Sequence, residues 1–481
     1  MPKRDALATE MKIMPVSVPT FAKIGLRRPH RSTTMLYYVL AIIIMLYLAL
    51  PSRVLLLLGW HYVGGGSGIE KIHPATYLLL FSLCISLVFD QQFRWRVTAR
   101  VASDSSLLCF IAAVIVTAAY AYLGAAASIA PFVDTFFSAI VTTIIITCMP
   151  KQSLTFLRRL VDIFFIINVL LIFTEVILQR DFLSEYLVGV VRTAEELVVL
   201  GAQRSGDFGR ISALFGHPLD AAFLFGIYSI SNLVSTPPRF SRMTVGRVGL
   251  SLLSYLAIFP SQSRSSMVVT GIILLLYMTY SAVNGAIKGY VDKASVAFAF
   301  FMSIALAIFC MFLWSVGFFD PMLSRFQYDY GSALSRDYAL EILQQASTSD
   351  LWFGLPVAEL DAIQQSFGII AIEISWVNFI LVGGLITTIP LFATLCLFLF
   401  RSLRLYCDSG IYFVSLLILE STFASNSIWS KTTVLTGSLI VGISFLRRND
   451  APLKFQRAPI KASRVERLAG MVKQANARSS R

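Results

Sequence analysis

Three arginines stand where an apolar chain should not keep them. Arg264 lies in SQSRSS (261–266), a polar island between two apolar arms; Arg210 lies in GRISALFGHPLD (209–220) and Arg336 in ALSRDYALEIL (333–343). A guanidinium carries a planar fork of N–H donors that meets two phosphate oxygens at once. At a membrane surface such a group either snorkels as an interfacial anchor or faces a polar cavity. Grouped on one face, the three point to an anionic group at headgroup depth, and a lipid diphosphate fits. His217, Pro218 and Asp220 follow Arg210. Pro218 either loosens a helix and frees backbone groups or simply starts one. His217 either titrates near neutrality or makes a structural hydrogen bond. In AIEISWVNFILVGGLI (371–386), Glu373 stands where a polar loop enters apolar sequence. It can act as a general base or pair with one of the arginines. Trp376 suits an interfacial belt or a sugar-stacking face, Asn378 follows on the same segment, and the Gly383–Gly384 pair suits close helix packing.

The elements that hold these residues follow from composition. The chain has 481 residues, 56% hydrophobic and 14% charged, with a mean hydropathy of +0.73. Soluble domains average about 45–50% apolar and about 25% charged. Long apolar runs recur, which predicts an all-α, polytopic membrane bundle. We read about twelve spans, near 35–60, 74–89, 105–124, 130–149, 160–178, 213–235, 248–260, 267–285, 294–316, 374–400, 409–424 and 432–446. Residues 1–34 form a basic N-terminus, 35–446 the membrane domain, and 447–481 a basic, polar tail expected to be disordered.

The formal net charge is +13, but Lys and Arg sit between apolar runs and at the two ends. That is topological charge rather than a nucleic-acid patch. The basic connections 1–34, 90–104, 150–159, 236–247, 286–293 and 401–408 alternate with poorer ones, which predicts both termini in the cytoplasm. The opposite side then receives 179–212 and the large loop 317–373 between the ninth and tenth spans; the latter has no Lys and mostly acidic charges. Loops this long are uncommon unless they serve a function. The six cysteines and four histidines show no metal spacing and no disulfide framework, and no cleaved signal peptide is expected.

RISALFGHP, the Ser-Gln-Ser-Arg turn, SRDYALEIL, WFGLP and the Glu373-to-Trp376 segment ahead of two glycines occur in that order across 35–446. In order and sidedness they resemble the O-antigen ligase / Wzy-type polysaccharide polymerase superfamily of bacterial inner-membrane glycosyltransferases. The resemblance implies an undecaprenyl-diphosphate-linked glycan donor, attack of a sugar hydroxyl on its anomeric carbon at the periplasmic face, and departure of the lipid diphosphate. It implies no metal or other cofactor. Arg210 and Arg264 match the family's outer arginines, with a role in binding the diphosphate; Arg336 matches an arginine of the large loop. His217, Trp376 and Asn378 are further substrate-binding candidates. Ligases carry a histidine and an asparagine where the large loop meets the next helix. Here Glu373-Ile374 stand there, which favours an exopolysaccharide or O-antigen polymerase, acting on a second lipid-linked repeat unit, over a ligase that delivers glycan to lipid A–core. A lipid-linked oligosaccharide flippase, or another transporter, is the alternative from a different class. Membrane lipid is a partner, and a chain-length regulator and export proteins are the further partners the resemblance allows.

Overall fold

Two aspartates break the chain between the second and third apolar runs. Asp90 accepts hydrogen bonds from Gln92 N (2.9 Å) and Phe93 N (3.0 Å), and Asp104 accepts them from Ser106 N (3.1 Å) and Leu107 N (3.2 Å). Each is an N-cap that satisfies amides at a new helix start. The stretch 90–104, expected as a basic connection, is therefore itself a helix. In the computed structural model the described residues are 31–62, 69–187, 211–236, 242–287, 307–327, 332–369, 374–408, 410–424 and 434–448, with isolated positions between them. Their helices are α1 (Arg31–Ala49), α2 (Pro74–Phe89), α3 (Gln91–Ser103), α4 (Ser105–Ala125), α5 (Ala130–Cys148), α6 (Lys151–Leu178), α7 (Pro218–Val234), α8 (Arg242–Leu256), α9 (Arg264–Ile287), α10 (Asp320–Gln327), α11 (Ser332–Gln345), α12 (Thr348–Phe353), α13 (Val357–Ser366), α14 (Ser375–Tyr406), α15 (Ile411–Ala424) and α16 (Val434–Leu446). Among the described residues no strand forms, only an isolated bridge between Cys407 and Arg447. The fold is all-helical.

Four helices, α4, α5, α6 and α14, are long and apolar enough to cross a membrane alone. Helices α2 and α3, bent by 111° at Asp90, would make a fifth crossing together. Shorter apolar helices occupy 35–49, 218–234, 245–261, 411–421 and 434–446. Burial sorts them. The apolar window of α5 is 83% buried and that of α4 only 28%, so α5 runs inside the bundle and α4 along its rim. The first apolar run stops early: α1 ends at Ala49, Pro51 is extended, and a short helix, Ser52–Leu57, follows. Proline restricts the residue before it and cannot continue the helix.

One end of the bundle gathers basic residues. Arg100 pairs with Asp104 and donates to Ser402 Oγ, and its guanidinium lies 3.9 Å from the Tyr406 ring centre. Burial alone would raise the Asp104 pKa, but the Arg100 charge with the Ser106 and Ser402 hydroxyls holds it below the usual carboxylate range. Arg447 donates to the carbonyls of Ile146 (2.7 Å) and Met149 (2.6 Å), closing the end of α5. Helical alternation puts the large loop at the other end. That loop, 317–373, folds as α10 to α13.

Candidate functional site

The Arg264 turn is built from serines. After α8 ends at Leu256, Phe259–Ser261 makes a single 3-10 turn and Gln262 takes a left-handed φ of 56°. Ser261 Oγ donates to the Ile258 carbonyl (2.6 Å), Ser263 Oγ to Ser266 Oγ (2.9 Å), and Met267 N to the Ser263 carbonyl (3.1 Å). These three serines are buried, while Arg264, the first residue of α9, stays partly exposed. The polar island is thus a self-satisfied corner that carries a guanidinium.

Arg210 and Glu373 lie outside the described residues. The neighbour of Arg210 is informative, however. Ile211 N donates to the Pro260 carbonyl at 3.1 Å, so the chain directly after Arg210 is tied to the Arg264 turn. Ile211 and Pro260, 49 positions apart in sequence, share one corner of the loop end. Beside that corner is an apolar cavity of about 470 Å³, lined by Phe259, Met267, Cys310, Trp314, Met322 and Phe326. Its Trp314 side is exposed. Phe259 and Met267 bracket Arg264 in sequence, although Arg264 itself does not line the cavity. Pockets for small ligands span about 300–1,000 Å³ and combine apolar walls with a few polar groups.

Arg336, on α11, is partly buried, and its Nε is buried without a hydrogen bond. Its charge acts on Glu420 of α15, and the Ser265 hydroxyl adjoins the same carboxylate. Both carboxylate oxygens of Glu420 are buried and accept no well-formed hydrogen bond. Ser265 follows Arg264, so Arg264, Arg336 and Glu420 belong to one neighbourhood.

Two glycines seat part of the loop on α14. Within α14, Gly384 has φ 68° and ψ 168°, which interrupts the helix. Residues 352–355 dock at that break: Leu355 N donates to the Leu381 carbonyl at 2.6 Å, and Tyr120 Oη donates to the Phe353 carbonyl at 2.9 Å. A Cβ on Gly384 would overlap the Trp352 carbonyl, and one on Gly354 the Val382 carbonyl. Of the glycine pair expected to serve close helix packing, Gly384 breaks the helix and opens a seat for residues 352–355.

The remaining candidates are structural in their contacts. Pro218 is the first residue of α7 and His217 its N-cap, with Nδ1 accepting from Leu219 N at 3.2 Å. The charge acting on His217 is Arg53. Trp376 is partly buried against the core, and Asn378 is buried, its Nδ2 donating to the Ile372 carbonyl at 2.9 Å. Asn378 thereby clamps the segment that contains Glu373.

Sequence reasoning passed over the acids inside the apolar runs. Arg53, 1% exposed, pairs with Asp181 at 3.0 Å, next to the fully buried Glu175. Asp134 accepts from His73 N (3.0 Å) and Thr76 Oγ1 (2.7 Å). Glu420 belongs to the same class. The signal was present, since an ionisable group in an apolar span marks a functional candidate by default. Among the described residues, no group of three or more His, Cys, Asp or Glu can hold a metal ion. Comparisons with protein-family models, curated proteins and solved structures find no match to this chain.

Proposed function

We propose that this chain is a membrane glycosyltransferase that polymerises an exopolysaccharide or O-antigen. Its donor is an undecaprenyl-diphosphate-linked glycan, and its acceptor is a second lipid-linked repeat unit. In this reading the bundle crosses the bacterial inner membrane about twelve times. Both termini are cytoplasmic, and the loop end faces the periplasm. The alternation of basic connections and the basic network around Arg100 and Arg447 support that orientation.

The observation that carries the reading is the Ile211–Pro260 hydrogen bond, which brings the Arg210 segment to the Arg264 turn beside an apolar cavity. A lipid diphosphate needs both features: cationic forks for its phosphates and an apolar wall for the first part of its tail. The acceptor oxygen forms a bond to the anomeric carbon, the bond from that carbon to the diphosphate oxygen breaks, and the hydroxyl proton passes to a base. Arg264, with Arg210, stabilises the negative charge that grows on the leaving diphosphate. A second guanidinium, on the residue directly before Ile211, would suit a leaving group with two phosphates.

The test is Arg264→Lys in the native host, with membrane insertion verified. Lysine keeps the charge and loses the fork. We expect polymer yield to fall by about 100-fold or more, the range seen when one transition-state donor is removed, with single lipid-linked repeat units accumulating. Full-length polymer at normal yield overturns the reading. Accumulation of complete, undelivered polymer on the lipid would instead mark a ligase.

A further inference from the structure

We infer that Glu420 and Arg336 form the acceptor subsite, where Glu420 takes the proton from the attacking sugar hydroxyl. This rests on the glycosyltransferase reading above and adds a residue and a substrate group to it.

The argument begins from unmade hydrogen bonds. A buried carboxylate with no donor costs several kcal/mol in general, so native chains rarely leave one without a use. Both Glu420 oxygens are buried and accept no well-formed hydrogen bond, with the Ser265 hydroxyl their one hydrogen-bonding neighbour among the described residues. Arg336 Nε, from the loop helix α11, is likewise buried and unbonded, and its charge reaches Glu420. The neighbourhood therefore offers unused acceptors on one element and an unused donor on another. A hydroxyl complements both, since it donates one hydrogen bond and accepts others. A phosphate complements only Arg336 and would be repelled by Glu420. The ligand group that fits is a neutral polyol, the non-reducing end of a glycan.

Placement fits the same assignment. Ser265 follows Arg264, assigned to the diphosphate, in sequence, and its hydroxyl adjoins Glu420. A hydroxyl at Glu420 would thus sit next to the anomeric carbon of a donor whose diphosphate is held by Arg264. In the step, the hydroxyl oxygen bonds to that carbon, its proton moves to a Glu420 oxygen, and the diphosphate leaves with the electron pair of the broken bond. Glu175 also has unbonded oxygens, but the residue is fully buried beside Asp181 and Arg53, whereas Glu420 is partly exposed.

The experiment uses the purified full chain, lipid-linked repeat units extracted from host cells lacking this protein, and undecaprenyl diphosphate as a separate binding probe. Glu420→Gln keeps shape and removes the base. Expected are a loss of kcat of about 100-fold or more, unchanged binding of undecaprenyl diphosphate, and an unchanged melting temperature. Glu420→Asp, which keeps the carboxylate, should recover part of the rate and decides the matter if the glutamine variant does not fold. Wild-type turnover in Glu420→Gln overturns the inference while leaving the polymerase reading intact. A rate loss matched by loss of diphosphate binding and of melting temperature also overturns it, because Glu420 would then be structural. If the wild-type chain neither binds undecaprenyl diphosphate nor elongates the repeat units, the underlying reading fails instead.

Discussion

Two acids at opposite ends of this bundle have been treated oppositely by the fold. Asp104, at the basic end, accepts from Ser106 N, Leu107 N, the Ser106 and Ser402 hydroxyls and Arg100, so both its oxygens are used. Glu420, at the loop end, accepts nothing of good geometry. Each has an arginine acting on it. The saturated acid fastens α4 to α14 and leaves no capacity for a ligand. The unsaturated one has only the Ser265 hydroxyl and the Arg336 charge beside it. Unbonded Nε atoms do not separate the two ends, because Arg53, Arg100, Arg158, Arg336 and Arg447 all have one. Among the described residues, carboxylates with both oxygens buried and unbonded do: Glu175 and Glu420, whereas Asp90 at the basic end leaves only Oδ2 unbonded.

The strongest way to break this contrast is Asp104→Ala. It strands the Arg100 guanidinium, which is 2% exposed, without its counter-ion. Removing one partner of a buried pair costs about 3–5 kcal/mol, read as a lower melting temperature in detergent, with undecaprenyl diphosphate binding unchanged in the protein that remains folded. The pH dependence has a definite sign. The folded-state pKa of Asp104 lies below its ordinary value, so its stabilisation is complete above about pH 4. It is lost as pH falls through the lowered value. Wild-type stability should therefore decline on the acid side by a component that the alanine variant lacks. An equal decline in both would mean that Asp104 is not the fastening group.

A smaller effect is expected at the loop end from Gly384→Ala. An added Cβ meets the Trp352 carbonyl, and the left-handed φ costs an L-residue about 1–2 kcal/mol. The strain falls on the docked segment rather than on the bundle. Hydrogen exchange should quicken at Leu355, whose amide is bound to the Leu381 carbonyl, while the amides of α5 keep their protection. On the proposed polymerase function, polymer yield should fall as well. Unchanged exchange at Leu355 would show that the loop does not depend on this seat.

Much of this architecture was legible beforehand. Long apolar runs located most of the bundle helices, though not α3 or the loop helices α10 to α13, and the positions of Lys and Arg marked the basic end. The Arg264 corner was recognisable because an arginine among serines has no place in an apolar run. The bend at Asp90 was less visible, since a capping aspartate in a basic stretch looks like any loop residue. The Gly384 break was hidden for another reason: two glycines suit helix packing as well as a break, and only the docking of WFGLP distinguishes them. Glu420 was missed because attention went to arginines that defy the charge rule, whereas one glutamate in ILEST breaks no such rule. Arg210 and Glu373 fall outside the described residues, so the structure bears on them only through Ile211 and Asn378.

The smallest predicted effect sharpens the comparison from within the loop end. His217 and Glu420 both sit there, yet His217 already spends Nδ1 on Leu219 N as the cap of α7. A group engaged in that way resembles Asp104 more than Glu420. Asparagine is itself a good N-cap, so His217→Asn should cost no more than about 1 kcal/mol of stability and leave polymer yield within about twofold of wild type. His217→Ala should lose the cap, lowering the melting temperature further with little change in yield per folded molecule. Should the asparagine variant instead lose activity tenfold or more while melting normally, the imidazole contacts substrate. The division between satisfied and unsatisfied groups would then fail as a guide to which side chains at this end bind glycan.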